Sequence, residues 1–182
     1  MTHEYSALSL NITAFAKAGS QLSGQERLAG FERLRTETEG SPEGVQVQFA
    51  AAGSVRTDAA GVEEPWLHLR GSTVLTLTCQ RCLGPVDVTV DFDRNFRFVA
   101  SEALAEVEDE ESEEDVLVAS RTFNVLELVE DELLMAIPAV PKHETCPQAV
   151  KLEAVDPDFE GGQEEKPNPF AVLQKLKGGG LG

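Results

Sequence analysis

Thr73-Val-Leu-Thr-Leu-Thr-Cys79-Gln-Arg-Cys82-Leu-Gly84-Pro85-Val-Asp-Val-Thr-Val-Asp-Phe-Asp-Arg-Asn-Phe-Arg-Phe98 is the stretch on which the fold turns. Thr73 to Thr78 is rich in β-branched residues, as a pleated surface favours. Val86, Val88, Val90, Phe92, Phe96 and Phe98 then share one parity, with Arg94 the exception. Side chains alternate faces along a strand, so this pattern predicts a long strand with one apolar face. The segment between the two runs is too short for a helical crossover. The strands should therefore pair antiparallel as a hairpin, with Cys79-x-x-Cys82 at its tip.

Weaker signals lie on either side. Leu8, Leu10, Ile12 and Ala14 alternate with Ser9, Asn11 and Thr13, which predicts a first strand. Leu28, Phe31 and Leu34 stand three apart and fit a short helix within 25–35. Val45, Val47 and Phe49 predict one strand; Trp66, Leu67 and Leu69 predict another after a stretch whose turns would be set by Gly53, Gly61 and Pro65. Nine of the fourteen residues from Glu102 to Asp115 are acidic, and repulsion at that density predicts a mobile loop. Asn124-Val-Leu-Glu127 has the form of a capping box. Leu126, Val129, Leu133 and Ile137 follow at helical spacing until Pro138 and Pro141, which predicts a helix at about 125–137. Its Glu127, Glu130, Asp131 and Glu132 would form the solvated side. The expected architecture is α+β: a mainly antiparallel β-sheet or partly closed barrel in residues 1–150, with one principal helix and the mobile acidic loop 102–115. Residues 151–182 read as a polar tail that could end in a short helix.

The chain has 182 residues, which suits one main domain of the usual roughly 100–200 residues. Its 15 Lys+Arg stand against 32 Asp+Glu, a formal charge of -17. Such a field disfavours broad binding to polyanions and favours basic partners. No run approaches the roughly 20 apolar residues of a membrane span, and the amino terminus lacks the basic start and apolar core of a secretory signal. Three cysteines are too few for a disulfide framework. They suit a reducing cytoplasm, where thiols stay free or bind metal.

The Cys-x-x-Cys admits two chemistries. Thioredoxin-type redox work needs a helix amino terminus beside the thiolate, whereas here Gly84 and Pro85 lead into a strand. A zinc knuckle needs two thiolates from one tight turn, with a nearby glycine, here Gly84, easing the backbone. His143-Glu-Thr-Cys146 would complete a Cys₃His set of Cys79, Cys82, His143 and Cys146. Four protein ligands leave no open position, so such an ion would be structural. Reduced thiols without metal are the alternative, and both readings stay open. No G-x-S-x-G, Walker loop, G-x-G-x-x-G or H-E-x-x-H is present. His68, on a strand, reads as a surface residue. Arg81, Arg94 and Arg97 could form a local phosphate-binding patch. Lys166, Pro167, Asn168, Pro169 and Phe170, continuing through Leu173, Lys175, Leu176 and Lys177, could dock as a small amphipathic helix on a partner or equally on the protein's own core.

In this order, TCQRCLGP, NVLELVEDELLMAIPAVPKHETC and KPNPFAVLQKLK resemble the bacterial YceD family, the large ribosomal RNA subunit accumulation proteins. The resemblance covers roughly residues 70–177. By position, its cysteine motif falls on Cys79 and Cys82, its E-D-E-L helix on Glu130, Asp131, Glu132 and Leu133, its Pro-x-x-Pro-x-His on Pro138, Pro141 and His143, and its terminal motif on Lys166 to Phe170. It implies a non-catalytic cytoplasmic factor supporting large-subunit ribosomal RNA accumulation during ribosome assembly. The acidic surface adds the expectation that the partner is a basic ribosomal protein or a precursor particle. Direct contact with ribosomal RNA through the arginines is a further option. Two alternatives follow from the residues themselves: a structural zinc or thiol module acting indirectly on RNA, and a carboxylate-dependent RNA-processing enzyme.

Overall fold

The computed structural model describes residues 5–58, 61–109, 112 and 114–148. The long hairpin is its centre: β3 (Glu63–Thr78) and β4 (Pro85–Val99) pair antiparallel from Trp66↔Arg97 to Thr78↔Pro85. On β4, Val86, Val90, Phe92, Phe96 and Phe98 are buried, so the one-parity stripe does face the core. The two runs expected as separate strands, Trp66–Leu69 and Thr73–Thr78, are one strand continuing through Gly71. A Cβ on Gly71 would lie 2.5 Å from the Phe92 ring, so this glycine admits its cross-strand neighbour and does not mark a turn.

Preceding β3 is β2 (Gln46–Thr57), which pairs with it antiparallel; β1 (Gln21–Arg27) pairs antiparallel with β2 at the sheet's edge. Gly53 is not a turn residue but lies inside β2. A Cβ there would meet the Phe15 ring at 2.7 Å and the Ala16 backbone at 2.8 Å. That close approach seats α1 (Ile12–Lys17), a helix where alternation predicts a strand. The Asn11 side chain accepts the Ala14 amide at 3.0 Å as its cap, and Ile12, Phe15 and Ala16 are buried at helical spacing. Leu28, Phe31 and Leu34 all reach the core, but through a 3₁₀ turn (Leu28–Gly30) and the short α2 (Leu34–Glu37), not one helix.

Beyond β4 the expected loop 102–115 is overturned over 102–109 and at Asp115, while its residues 110, 111 and 113 lie outside those described. Glu102–Asp109 forms α3, and Asp115–Val118 forms β5, which pairs parallel with β4. Ser101 caps α3 through Ala105 N–H to Ser101 O (3.0 Å), and Ala105 is buried with Val99 and Val116. Arg97 offsets Glu108, so local repulsion is smaller than the charge count suggests. Then α4 (Val125–Ala136) packs on β3 and β4, its amino terminus capped by Asn124. Among the described residues three shorter α-helices join it, so it is the longest helix and does not stand alone as the sequence reading expected. The sheet, in order β1-β2-β3-β4-β5, is mixed and open, not a closed barrel. No helix among the described residues is long and apolar enough to cross a membrane. The expected tail 151–182 lies outside the described residues.

Candidate metal centre

The tip of the β3–β4 hairpin is a tight turn. The Cys79 amide donates to Gly84 O and the Leu83 amide to Cys79 O, each at 2.8 Å. Its left-handed residue is Leu83, at φ 60, and not the glycine that the sequence suggests. This turn presents the thiols of Cys79 and Cys82 on one side.

The second pair of donors arrives from the chain after α4. Pro138 and Pro141 end helical geometry, and the Gln80 amide holds Pro141 O at 2.8 Å. His143 and Cys146 then lie against the hairpin. One ligand atom from each of Cys79, Cys82, His143 and Cys146 lies within 4.8 Å of the others. Among the described residues this is the one such group. Cys79 is buried and the other three are half-buried. Cys79 Sγ stands 3.9 Å from Cys146 Sγ, and Cys82 Sγ stands 3.4 Å from His143 Nδ1.

The surrounding bonds orient these donors. His143 Nε2 lies 3.0 Å from Pro85 O; a carbonyl has no proton to give, so Nε2 carries the hydrogen and Nδ1 is left as the lone-pair donor. Burial pushes the Cys79 thiol up, but the amides of Cys82, His143 and Arg81 outweigh it and hold the thiol at about 5, far below its usual 9.0. For Cys82 the Gly84 amide acts downward, yet burial and the neighbouring Cys146 and Cys79 sulfurs prevail and raise it. Two thiolates from one knuckle, a third from a distant loop and an oriented imidazole fit a tetrahedral Zn²⁺ donor set.

The other residues singled out in the sequence are dispersed. Arg81 lies at the centre, donating from Nε to Cys146 Sγ at 3.0 Å and from Nη2 to His143 O at 2.7 Å and Glu144 O at 3.1 Å. Arg94, of the core parity, pairs with Asp115 at 2.6 Å and Glu132 at 3.3 Å. Arg97, on the opposite face of β4, pairs with Glu64 at 2.7 Å and Glu108 at 2.6 Å. The three arginines are not one patch. His68 pairs with Asp93 at 2.5 Å on the outer face. Lys166, Pro167, Asn168, Pro169 and Phe170 lie outside the described residues.

The E-D-E-L segment corrects the expectation of a solvated acidic side, because Glu130 and Glu132 are buried. Glu130 accepts the amides of Arg33 (2.8 Å) and Leu34 (3.1 Å) and the Arg33 guanidinium at 3.0 and 3.2 Å, thereby starting α2. Burial alone would raise its carboxyl, but those donors hold it below the usual carboxylate range. At Glu132 burial prevails over Arg94 and the carboxyl is raised. The signal was present in the spacing: Glu130 follows Leu126 by four residues and precedes Leu133 by three, inside the apolar stripe.

Residues 67–177 match the family model described as large ribosomal RNA subunit accumulation protein YceD. A curated protein of that name from Haemophilus influenzae is 35% identical over 104 residues, 56% of this chain and 59% of the relative. The match thus spans about three fifths of that relative's length. No solved structure matches the chain.

Proposed function

The chain belongs to the YceD family, and from that premise we propose that it supports accumulation of large-subunit ribosomal RNA in the cytoplasm as a binding factor without substrate turnover. Its partner is a ribosomal protein or precursor particle, and its Cys79, Cys82, His143 and Cys146 hold a structural zinc ion. The observation that carries the reading is the convergence of four soft donors, from two stretches 61 to 67 residues apart, inside the segment that matches the family. With every ligand drawn from the protein, no position is open to water. The ion would fasten the segment after α4 to the hairpin, and supply a fixed platform instead of a reactive centre.

The charge of -17 supports a basic partner, since it repels exposed RNA and attracts lysine- and arginine-rich protein. Direct RNA contact through Arg81, Arg94 and Arg97 is the lesser part of the reading, because a phosphate would have to compete with the carboxylate, carbonyl or sulfur partners each already has. Sedimentation of cell extracts tests the function: the protein is expected with large-subunit precursors, and that association should weaken with salt. Recovery only in the ribosome-free fraction, at low salt and after crosslinking, overturns it. Metal analysis of protein purified without a His tag tests the site. About one zinc per chain is expected, and less than about a tenth disposes of it.

A further inference from the structure

The residue between the two cysteines of the knuckle is bound to the opposite half of the site. Arg81 reaches out of the hairpin tip and makes three contacts on the other segment: Nε to Cys146 Sγ at 3.0 Å, and Nη2 to His143 O at 2.7 Å and Glu144 O at 3.1 Å. From these contacts we infer that Arg81 is the positioning residue of the metal centre: it delivers Cys146 and His143 to the ion and neutralises the charge that three thiolates leave in excess. The inference rests on the zinc reading above and deepens it.

Three properties of Arg81 converge. The first is geometric. Cys79 and Cys82 are placed by the hairpin's own backbone bonds, whereas His143 and Cys146 follow two prolines in a segment without helix or strand. Ordering that segment costs conformational entropy, and a planar fork that grips two successive carbonyls offsets it in a way a point charge cannot. The second is electrostatic. Three thiolates and a neutral imidazole around Zn²⁺ leave one negative charge in excess, and the guanidinium cancels it. The third is selective: the Arg81 backbone amide serves Cys79, but among the three sulfurs the guanidinium donates only to Cys146. A charge-assisted hydrogen bond withdraws electron density from a thiolate, which makes it a less reactive nucleophile while it remains a ligand. Partners of this kind, outside the ligand set, are worth about 10- to 100-fold in metal affinity.

The test uses the full chain as wild type, Arg81→Met and Arg81→Lys. Zinc affinity is read by competition with a chromophoric chelator, and the alkylation rate of each cysteine in the zinc-loaded proteins by iodoacetamide and peptide mass mapping. R81M is expected to bind zinc about 10- to 100-fold more weakly and, once loaded, to be alkylated several-fold faster at Cys146 with the Cys79 rate unchanged. R81K keeps the charge without the fork and is expected between the two; it carries the same test should R81M fail to fold. A zinc affinity within about threefold of wild type, or acceleration spread over all three cysteines, overturns the inference. A wild-type chain that takes up no zinc overturns the zinc reading itself, so the two failures are told apart.

Discussion

The two ends of the β3–β4 hairpin handle charge differently. At the tip, four soft donors from separate stretches of chain converge, and one arginine binds across them. At the far end Arg97 is held between Glu64 and Glu108, with α3 and its carboxylates alongside. The far end is much richer in acid, but its half-buried Glu64 and Glu108 share the cation of Arg97. Density of charge alone makes a solvated or paired surface; convergence of donors around one point makes a site. The tip should therefore depend on an ion, and the far end on its own side chains.

The sharpest way to break that contrast is Cys79→Ser, which removes the buried ligand. Zinc content should fall from about one per chain to under a tenth. Hydrogen exchange should quicken at the Gln80 and Leu83 amides, which bond to Pro141 O and Cys79 O, and stay unchanged at the Ala119 amide, which bonds to Val99 O at the other end. Loosening at both ends together would show that they are not independent.

Arg97→Met probes the far end. It leaves Glu64 and Glu108 facing each other without a cation, and urea unfolding should show a loss of about 1.5–3 kcal/mol with zinc content intact.

Between the ends lies the carboxylate pair of α4. Glu130→Gln should cost about 1–2 kcal/mol at neutral pH, since a neutral amide serves the Arg33 and Leu34 donors less well. The pH dependence has a definite sign. Glu130 is held below the ordinary 4.5, so its stabilisation is complete above that value and is lost as pH falls through the lower folded one. Glu132 is displaced upward, so its contribution has the opposite sign and grows on acidification. Urea titrations of the two Gln variants from neutral to acid pH should therefore diverge.

The smallest effect is expected at Leu83. Leu83→Gly relieves a left-handed backbone but adds freedom to the unfolded chain, so urea unfolding should show a gain of less than about 1 kcal/mol. A clear loss would mean that the exposed leucine has a contact the turn geometry does not account for.

The hairpin, its tip and the capped helix over Val125–Ala136 were legible because each is written in local period and cap chemistry: alternation, a two-cysteine turn, an Asn before an apolar stripe. Leu8–Ala14 misled because alternation and helical spacing share Ile12, and only the Gly53 gap that receives Phe15 decides between them. Glu102–Asp109 misled because repulsion was counted without Arg97 and the apolar contact that offset it. Glu130 and Glu132 were read as solvated because a carboxylate's partner, Arg33 or Arg94, is far away in the chain.

By itself the sequence determined which residues could be strand, cap and ligand, because those choices depend on neighbours a few positions away. It also named all four donors of the candidate metal centre. Only tertiary structure decided that the donors meet, that His143 offers Nδ1, and that Arg81 binds the opposite half of the site. Those facts depend on contacts between residues about sixty positions apart, and no local pattern encodes the distance between two such groups once the chain has folded.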